Sequence, residues 1–275
     1  MRTWFITGVS SGFGRALAER LLERGERVVG TFRNAAGVAE FETLAPGRSL
    51  GVMVDVTNAA GVRQAIHDAE ERTDGIDVLV NNAGYGLEGA IEEVTLDQVR
   101  HQFEVNVFGA VATIQAVLPH MRKRQAGHIV NITSMGGLTT FAGLGIYHGS
   151  KFALEGLSEA LAKEVAPLGI KVTIVEPGGF RTNWAGASLV RAERTIDAYE
   201  ATAGAARKRR ANGNGRQPGD PRKAADAIIL AVDAQEPPLH LLLGRDALQF
   251  VGQKLGALQS EVMKWAPVSA GTDFD

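Results

Sequence analysis

Ser134, Tyr147 and Lys151 carry usable chemistry if the fold brings them together. Tyr147 and Lys151 are four residues apart, which places them on one face of a helix. A free phenol has a pKa near ~10 and is a poor acid or base at neutral pH. A fixed ammonium beside it favours the phenolate and draws that value toward the working range. A hydroxyl such as Ser134 can hold a carbonyl or alcohol oxygen next to the phenol. The trio therefore suits proton transfer during interconversion of a carbonyl and an alcohol. The same Tyr-x-x-x-Lys spacing also arises as a stabilising pair on surface helices, so the surrounding elements have to decide.

The first of those elements opens the chain. Trp4-Phe5-Ile6 is a short apolar run, Gly8, Gly12 and Gly14 follow it, and Ala16, Leu17, Leu21 and Leu22 recur at helical spacing. This predicts a strand, a glycine-rich turn and a helix. Glycines let the backbone turn sharply and admit a pyrophosphate to the peptide N–H groups, and the helix N-terminus adds partial positive charge. The spacing is Gly-x-x-x-Gly-x-Gly rather than the commonest dinucleotide fingerprint, and a tight turn without a ligand is the alternative.

Further strands are expected at 27–32, 49–54, 76–80, 128–132, 170–175 and 239–243, and helices at 58–73, 95–124, 147–166, 221–232 and 247–265. Apolar strands alternating with helices predict an α/β fold. It is a doubly wound, Rossmann-type parallel sheet of about seven strands with helices on both faces. At 275 residues and 45% hydrophobic, the chain reads as one domain over 1–275. Gly8–Gly14, Arg33, Asp55, Asn82–Gly84, Ser134 and Pro177–Thr182 each follow a predicted strand. Ligands of open parallel sheets bind at that edge, so these pieces converge.

Thr7-Gly8-x-x-x-Gly12-x-Gly14, Asn81-Asn82-Ala83-Gly84, Ser134, Tyr147-x-x-x-Lys151 and Pro177-Gly178 occur in this order. In these motifs the chain resembles the short-chain dehydrogenase/reductase family, in its shorter single-domain branch. The resemblance is specific over roughly residues 1–180 and looser beyond. It implies an oxidoreductase with Asn106, Ser134, Tyr147 and Lys151 as the catalytic set. In that scheme Tyr147 is the general acid/base and Ser134 bonds the substrate oxygen. Lys151 bonds the nicotinamide ribose and lowers the Tyr147 pKa, and Asn106 helps hold a water that links the lysine to solvent. A kink residue before Gly109 is the other reading of Asn106. Gly8, Ser10, Ser11, Gly12, Phe13, Gly14, Asp55, Val56, Asn82, Ala83, Gly84, Tyr147, Lys151, Pro177, Gly178 and Thr182 are expected at the cofactor, with Asp55-Val56 by the adenine and Thr182 by the carboxamide.

Cofactor choice is read at the end of the second strand. NAD-preferring folds place a carboxylate there for the ribose, whereas this chain has Arg33, which suits a 2′-phosphate. NADP(H) is expected, with NAD(H) as the alternative. Tyr85, Phe141, Phe180 and Trp184 suggest an apolar pocket for a lipophilic ketone or aldehyde. Residues 180–219 read as a substrate lid, with Arg207-Lys-Arg-Arg210 as a solvated face or a contact to an acidic group.

A net charge of −2 gives no field directed at nucleic acid or anionic membrane. The absence of cysteine excludes disulfides and thiolate chemistry and fits a reducing cytoplasm. The six histidines show no metal-ligand spacing, so no metal is expected. With no apolar run long enough to span a bilayer and the first strand starting near Met1, a cytoplasmic protein without membrane partners is expected. By resemblance, the helices around 100–123 and 153–166 pair in a homodimer or homotetramer. A dinucleotide-sensing regulator without turnover, and a dehydratase or isomerase on the same fold, stay open as other functions.

Overall fold

The computed structural model describes residues 1–186 and 188–274; Ala187, within the predicted lid, and Asp275 lie outside the described residues. The chain runs β1 (Thr3–Ile6), α1 (Gly12–Glu23), β2 (Arg27–Phe32), α2 (Ala35–Glu42), β3 (Ser49–Met53), α3 (Ala59–Thr73) and β4 (Val78–Asn81). A short strand β5 (Gly86–Glu88) precedes α4 (Leu96–Phe103), a π-helical turn over Glu104–Phe108, α5 (Gly109–Arg124), β6 (Gly127–Ile132), α6 (Gly145–Val165) and β7 (Ile170–Pro177). β8 (Leu189–Arg191), α7 (Ala205–Gly213), α8 (Pro221–Asp233), β9 (His240–Leu243) and α9 (Arg245–Ala270) complete it.

Seven strands pair in the order β3-β2-β1-β4-β6-β7-β9, every pairing parallel. Their apolar residues are covered on both faces, which is why the strands read as continuous hydrophobic runs. Leu17 and Leu21 of α1 and Ile228 and Ile229 of α8 pack with Val28, Val80 and Val130 on one face. Ile66 of α3, Val117 and Met121 of α5 and Leu161 of α6 pack with Phe5, Leu79 and Ile129 on the other. The predicted doubly wound sheet is therefore observed, and its order reverses between β1 and β4, where such sheets open a crevice.

Polar bonds inside the sheet fix the helices that carry the site. Asn81 donates to Asn131 at 2.9 Å, Asn131 donates to Ser158 of α6 at 2.7 Å, and Thr113 of α5 donates to Asn81. All four are buried, so each bond satisfies groups that would otherwise be costly.

The expected single helix over 95–124 is interrupted. It starts on a capping box between Thr95 and Gln98, then widens into the π-helical turn at Glu104–Phe108. A Cβ on Gly109 would lie 2.8 Å from Val56, so the close crossing there needs glycine. Sequence periodicity also misses α2, which is only eight residues long and packs on the core through buried Phe41 and partly buried Val38. It likewise misses the separate parallel pair β5–β8.

Candidate active site

The carboxyl ends of β1, β2, β4, β6 and β7 open into a cleft of about 980 Å³. Gly8, Ser10, Ser11, Gly12 and Phe13 line one part, with Arg33, Asp55 and Val56 beyond them. Asn82, Ala83, Gly84, Pro177, Gly178 and Thr182 line the middle, and Ser134, Tyr147 and Lys151 the far end. Tyr85, Phe141, Phe180 and Trp184 also face it. The residues expected to meet a ligand are thus gathered at one edge, with two exceptions.

Gly14 is the first. It does not line the cleft; a Cβ there would sit 2.5 Å from the Gly8 carbonyl and closer still to the Asn82 amide. Its role is to let α1 press onto the turn after β4. Gly8 and Gly12 have φ of +72° and +63°, the left-handed region that glycine adopts freely. Thr7, which opens the glycine motif but carried no role in the sequence reading, ties this turn together. Its hydroxyl accepts the Asn82 and Ala83 N–H groups at 2.9 Å each, while the Asn82 amide donates to the Thr7 and Gly8 carbonyls at 2.8 and 2.9 Å. Asn82 is therefore a strut as well as a lining residue.

Asn106 is the second exception. It is buried on the π-helical turn, accepts the Tyr85 N–H at 3.1 Å and donates to the Tyr85 carbonyl and the Ser150 hydroxyl at 3.1 Å each. Beside it lies a cavity of about 10 Å³ shared with Lys151, close to the space one water needs.

Tyr147 stands in the first turn of α6 and is 5% exposed; Lys151 is one turn on. The Lys151 ammonium lies 5.9 Å from the Tyr147 ring centre and donates to the Ile132 carbonyl at 2.9 Å. Burial pushes the Tyr147 phenol up to about 12, with the Ser134 hydroxyl acting in the opposite direction. Burial also brings Lys151 down to about 8, opposed by the charge of Glu155. Of the two influences on the phenol, burial exceeds the Ser134 hydroxyl. Ser134 also anchors the loop before α6 by accepting the Gly136 N–H at 3.0 Å.

His148 is a further residue the sequence did not single out. It accepts the Phe141 N–H at Nε2 at 3.0 Å, and its Nδ1 lies 2.9 Å from the Gly136 carbonyl. Burial lowers its pKa to about 4, so it is neutral and holds the loop that carries Phe141. Behind Lys151, the fold also gathers Glu155, Glu176 and His240, far apart in sequence, with candidate ligand atoms within 4.8 Å of one another.

Aromatic rings wall the far end. Trp184 lies 5.1 Å from Tyr147, and Phe141 meets Phe250 of α9 edge-on at 5.3 Å. Phe180 packs on Phe13 at 5.1 Å, so part of its surface is used within the protein. At the other end, Thr57 donates to Asp55 through its backbone at 2.9 Å and its hydroxyl at 2.8 Å, which holds that carboxylate below its usual range.

The segment after β7 is more ordered than a plain loop. Arg210 and Arg191 both pair with buried Glu88, at 2.6 and 3.0 Å, and Arg207 pairs with buried Glu93 at 2.8 Å. The run 207–210 is thus not uniformly solvated: Arg207 and Arg210 turn inward, while Lys208 and Arg209 are exposed.

The sequence profile of the short chain dehydrogenases matches residues 2–191. The chain belongs to this family. It is 38% identical over 266 residues to a 3-ketodihydrosphingosine reductase of Bacteroides thetaiotaomicron, covering 95% of this chain and 94% of the relative. Among solved structures, a short-chain dehydrogenase from Streptomyces avermitilis superposes with a TM-score of 0.93 at 44% identity, covering 99% of this chain and 98% of that one. A short-chain dehydrogenase/reductase from Burkholderia phymatum, solved in complex with NAD, superposes with a TM-score of 0.81 at 28% identity, covering 96% and 95%. As a short-chain dehydrogenase, the protein is an NAD(P)-dependent oxidoreductase. Among the described residues, no helix is long and apolar enough to cross a membrane.

Proposed function

We propose that the protein is an NADP(H)-dependent reductase of a lipophilic ketone or aldehyde. The observation that carries this reading is the arrangement of Tyr147, Ser134 and Lys151 at the apolar end of a cleft whose other end is built for a dinucleotide. The residues fit that cofactor. Ser11–Phe13 line the cleft at the start of α1, where the first amides of any helix lack intrahelical acceptors. Among the described residues, the Ser11 hydroxyl makes no capping bond of its own. Arg33 follows the last residue of β2 and lines the cleft, and the segment 28–34 carries no carboxylate, which supports a 2′-phosphate there.

The bound nicotinamide supplies the hydride. Tyr147 holds the proton that the substrate oxygen receives. Ser134 donates to the same oxygen and steadies the charge that develops on it. Lys151 positions the cofactor ribose, and Asn106 with one water resupplies protons along the small cavity it shares with Lys151. Trp184, Phe141 and Phe250 exclude water and favour an apolar substrate body. That a similar protein is described as a reductase of 3-ketodihydrosphingosine, a long-chain ketone, supports the same substrate class.

The test follows NADPH absorbance with purified protein and a panel of lipophilic ketones, aldehydes and β-ketoacyl thioesters, with NADH in parallel. Tyr147→Phe is expected to lower kcat by about 10²–10⁴-fold, the range of general acid–base catalysis, while NADPH binding persists. Binding without turnover across the panel would favour the regulator instead.

A further inference from the structure

α9 is the least covered element of the fold. Ala247 and Val251 are its buried residues, and every residue from Gly252 to Trp265 is exposed. That stretch is nevertheless patterned. Leu248, Val251, Leu255, Leu258, Val262 and Trp265 follow alternating steps of three and four. This is the seam of a two-helix coiled coil over three heptads, narrower than the stripe a helix turns to a globular core. At its start the seam meets the protein body, where Val251 is buried. Beyond it Leu255, Leu258, Val262 and Trp265 are 55%, 45%, 59% and 55% exposed. Gly252 and Gly256 have open space where a Cβ would stand, and two glycines weaken a helix that stands alone.

The flanking charges choose the partner and its direction. Lys254 and Glu261 occupy equivalent positions one heptad apart, each just before a seam residue. In an antiparallel pair of identical helices, Leu255 meets the partner's Leu258, and Lys254 lies opposite the partner's Glu261, twice by symmetry. A parallel pair would set the two charges against uncharged Gln259 and Ala266. A helix lying on a bilayer would carry a basic polar face, whereas this one presents Gln253, Gln259, Ser260 and Glu261 along with its lysines.

We propose that α9 is a homodimerisation element, pairing antiparallel with α9 of a second copy of this chain. In that register the partner's Trp265 comes against Leu248, two residues from Phe250 in the cleft wall. Assembly therefore braces one side of the substrate end.

The full chain is tested by light scattering after gel filtration, with circular dichroism and NADPH binding as checks of folding. Leu258→Glu is expected to halve the particle mass while both checks stay unchanged, whether the starting particle is a dimer or a tetramer. Lys254→Glu is expected to weaken the association, and Lys254→Glu combined with Glu261→Lys to restore it. A monomeric wild-type chain, or an unchanged mass in Leu258→Glu, overturns the proposal. Failure of the double reversal to restore association overturns the antiparallel register. Sedimentation with phosphatidylcholine–phosphatidylserine vesicles that Leu258→Glu abolishes, without any change of mass in solution, assigns the face to membrane and also overturns it.

Discussion

At the scale of single residues, burial sets the proton chemistry. Glu155 is 3% exposed and Glu176 fully buried; among the described residues, both Glu155 oxygens and one Glu176 oxygen lack a hydrogen-bond partner. Burial raises Glu155 to about 7 and Glu176 to about 8, from an ordinary 4.5. Each carboxyl thus binds its proton more tightly in the folded chain than in the unfolded one. Between the ordinary and the raised values the native state holds more protons, so stability falls as pH rises through that window. Buried His148 and His128, lowered from 6.5 to about 4, act in the opposite direction below about pH 6.5, so the melting temperature is expected to decline from about pH 6.5 to about pH 8. Glu155→Gln is expected to flatten that decline, as calorimetry across the range would show. An unchanged slope in the variant would remove Glu155 from this role. The Tyr147-Lys151 pair was legible in the sequence because four-residue spacing fixes a shared helix face. The rise of the phenol pKa was not, since it depends on how completely the loops after β6 and β7 close over the ring.

At the scale of elements, glycine packing separates two kinds of position that look alike in the sequence. Gly14 has the Gly8 carbonyl where a Cβ would go, whereas Gly156 on α6 is exposed and has nothing within 4 Å. Gly14→Ala is expected to destabilise by about 1–3 kcal/mol, as overpacking does, and to loosen the turn under the cofactor. Gly156→Ala is expected to stabilise by about 0.5–1 kcal/mol through helix propensity. Chemical denaturation of the two variants checks both signs. Strands and long helices were readable because their hydrophobic periods extend over whole elements. α2 and β5–β8 were not: three strand residues carry no period, and pairing Gly86 with Leu189 is a tertiary event across a hundred residues. The π-helical turn under Asn106 was equally hidden, since one extra residue in a turn leaves no mark on composition.

At the scale of the whole molecule, the segment from β8 through α7 is fastened to the cleft by charges as well as by the β5–β8 pairing and buried Leu189, Ala203 and Ala206. Arg191 and Arg210 share Glu88, which is 1% exposed, and Arg207 holds Glu93 at 2%. Glu88→Gln leaves two guanidiniums facing a neutral amide. Because those arginines can turn to water, the loss is expected to fall on the segment and not on the sheet. Hydrogen exchange should rise about tenfold or more over residues 189–213, for each ~1.4 kcal/mol of local stability lost, while the global melting point moves little. A uniform rise throughout the chain would contradict this division.

These fastenings also bear on how fast a finished product can leave. Parting an arginine from a buried carboxylate puts ions into solvent, and dissolved electrolyte favours ions in solvent over ions held apart from it. If departure of product through this segment limits the cycle, added salt should quicken turnover until it begins to weaken dinucleotide binding. The rate would then pass through a maximum with ionic strength, and Glu88→Gln, which leaves the Arg207–Glu93 pair, would flatten the rising limb while keeping the falling one.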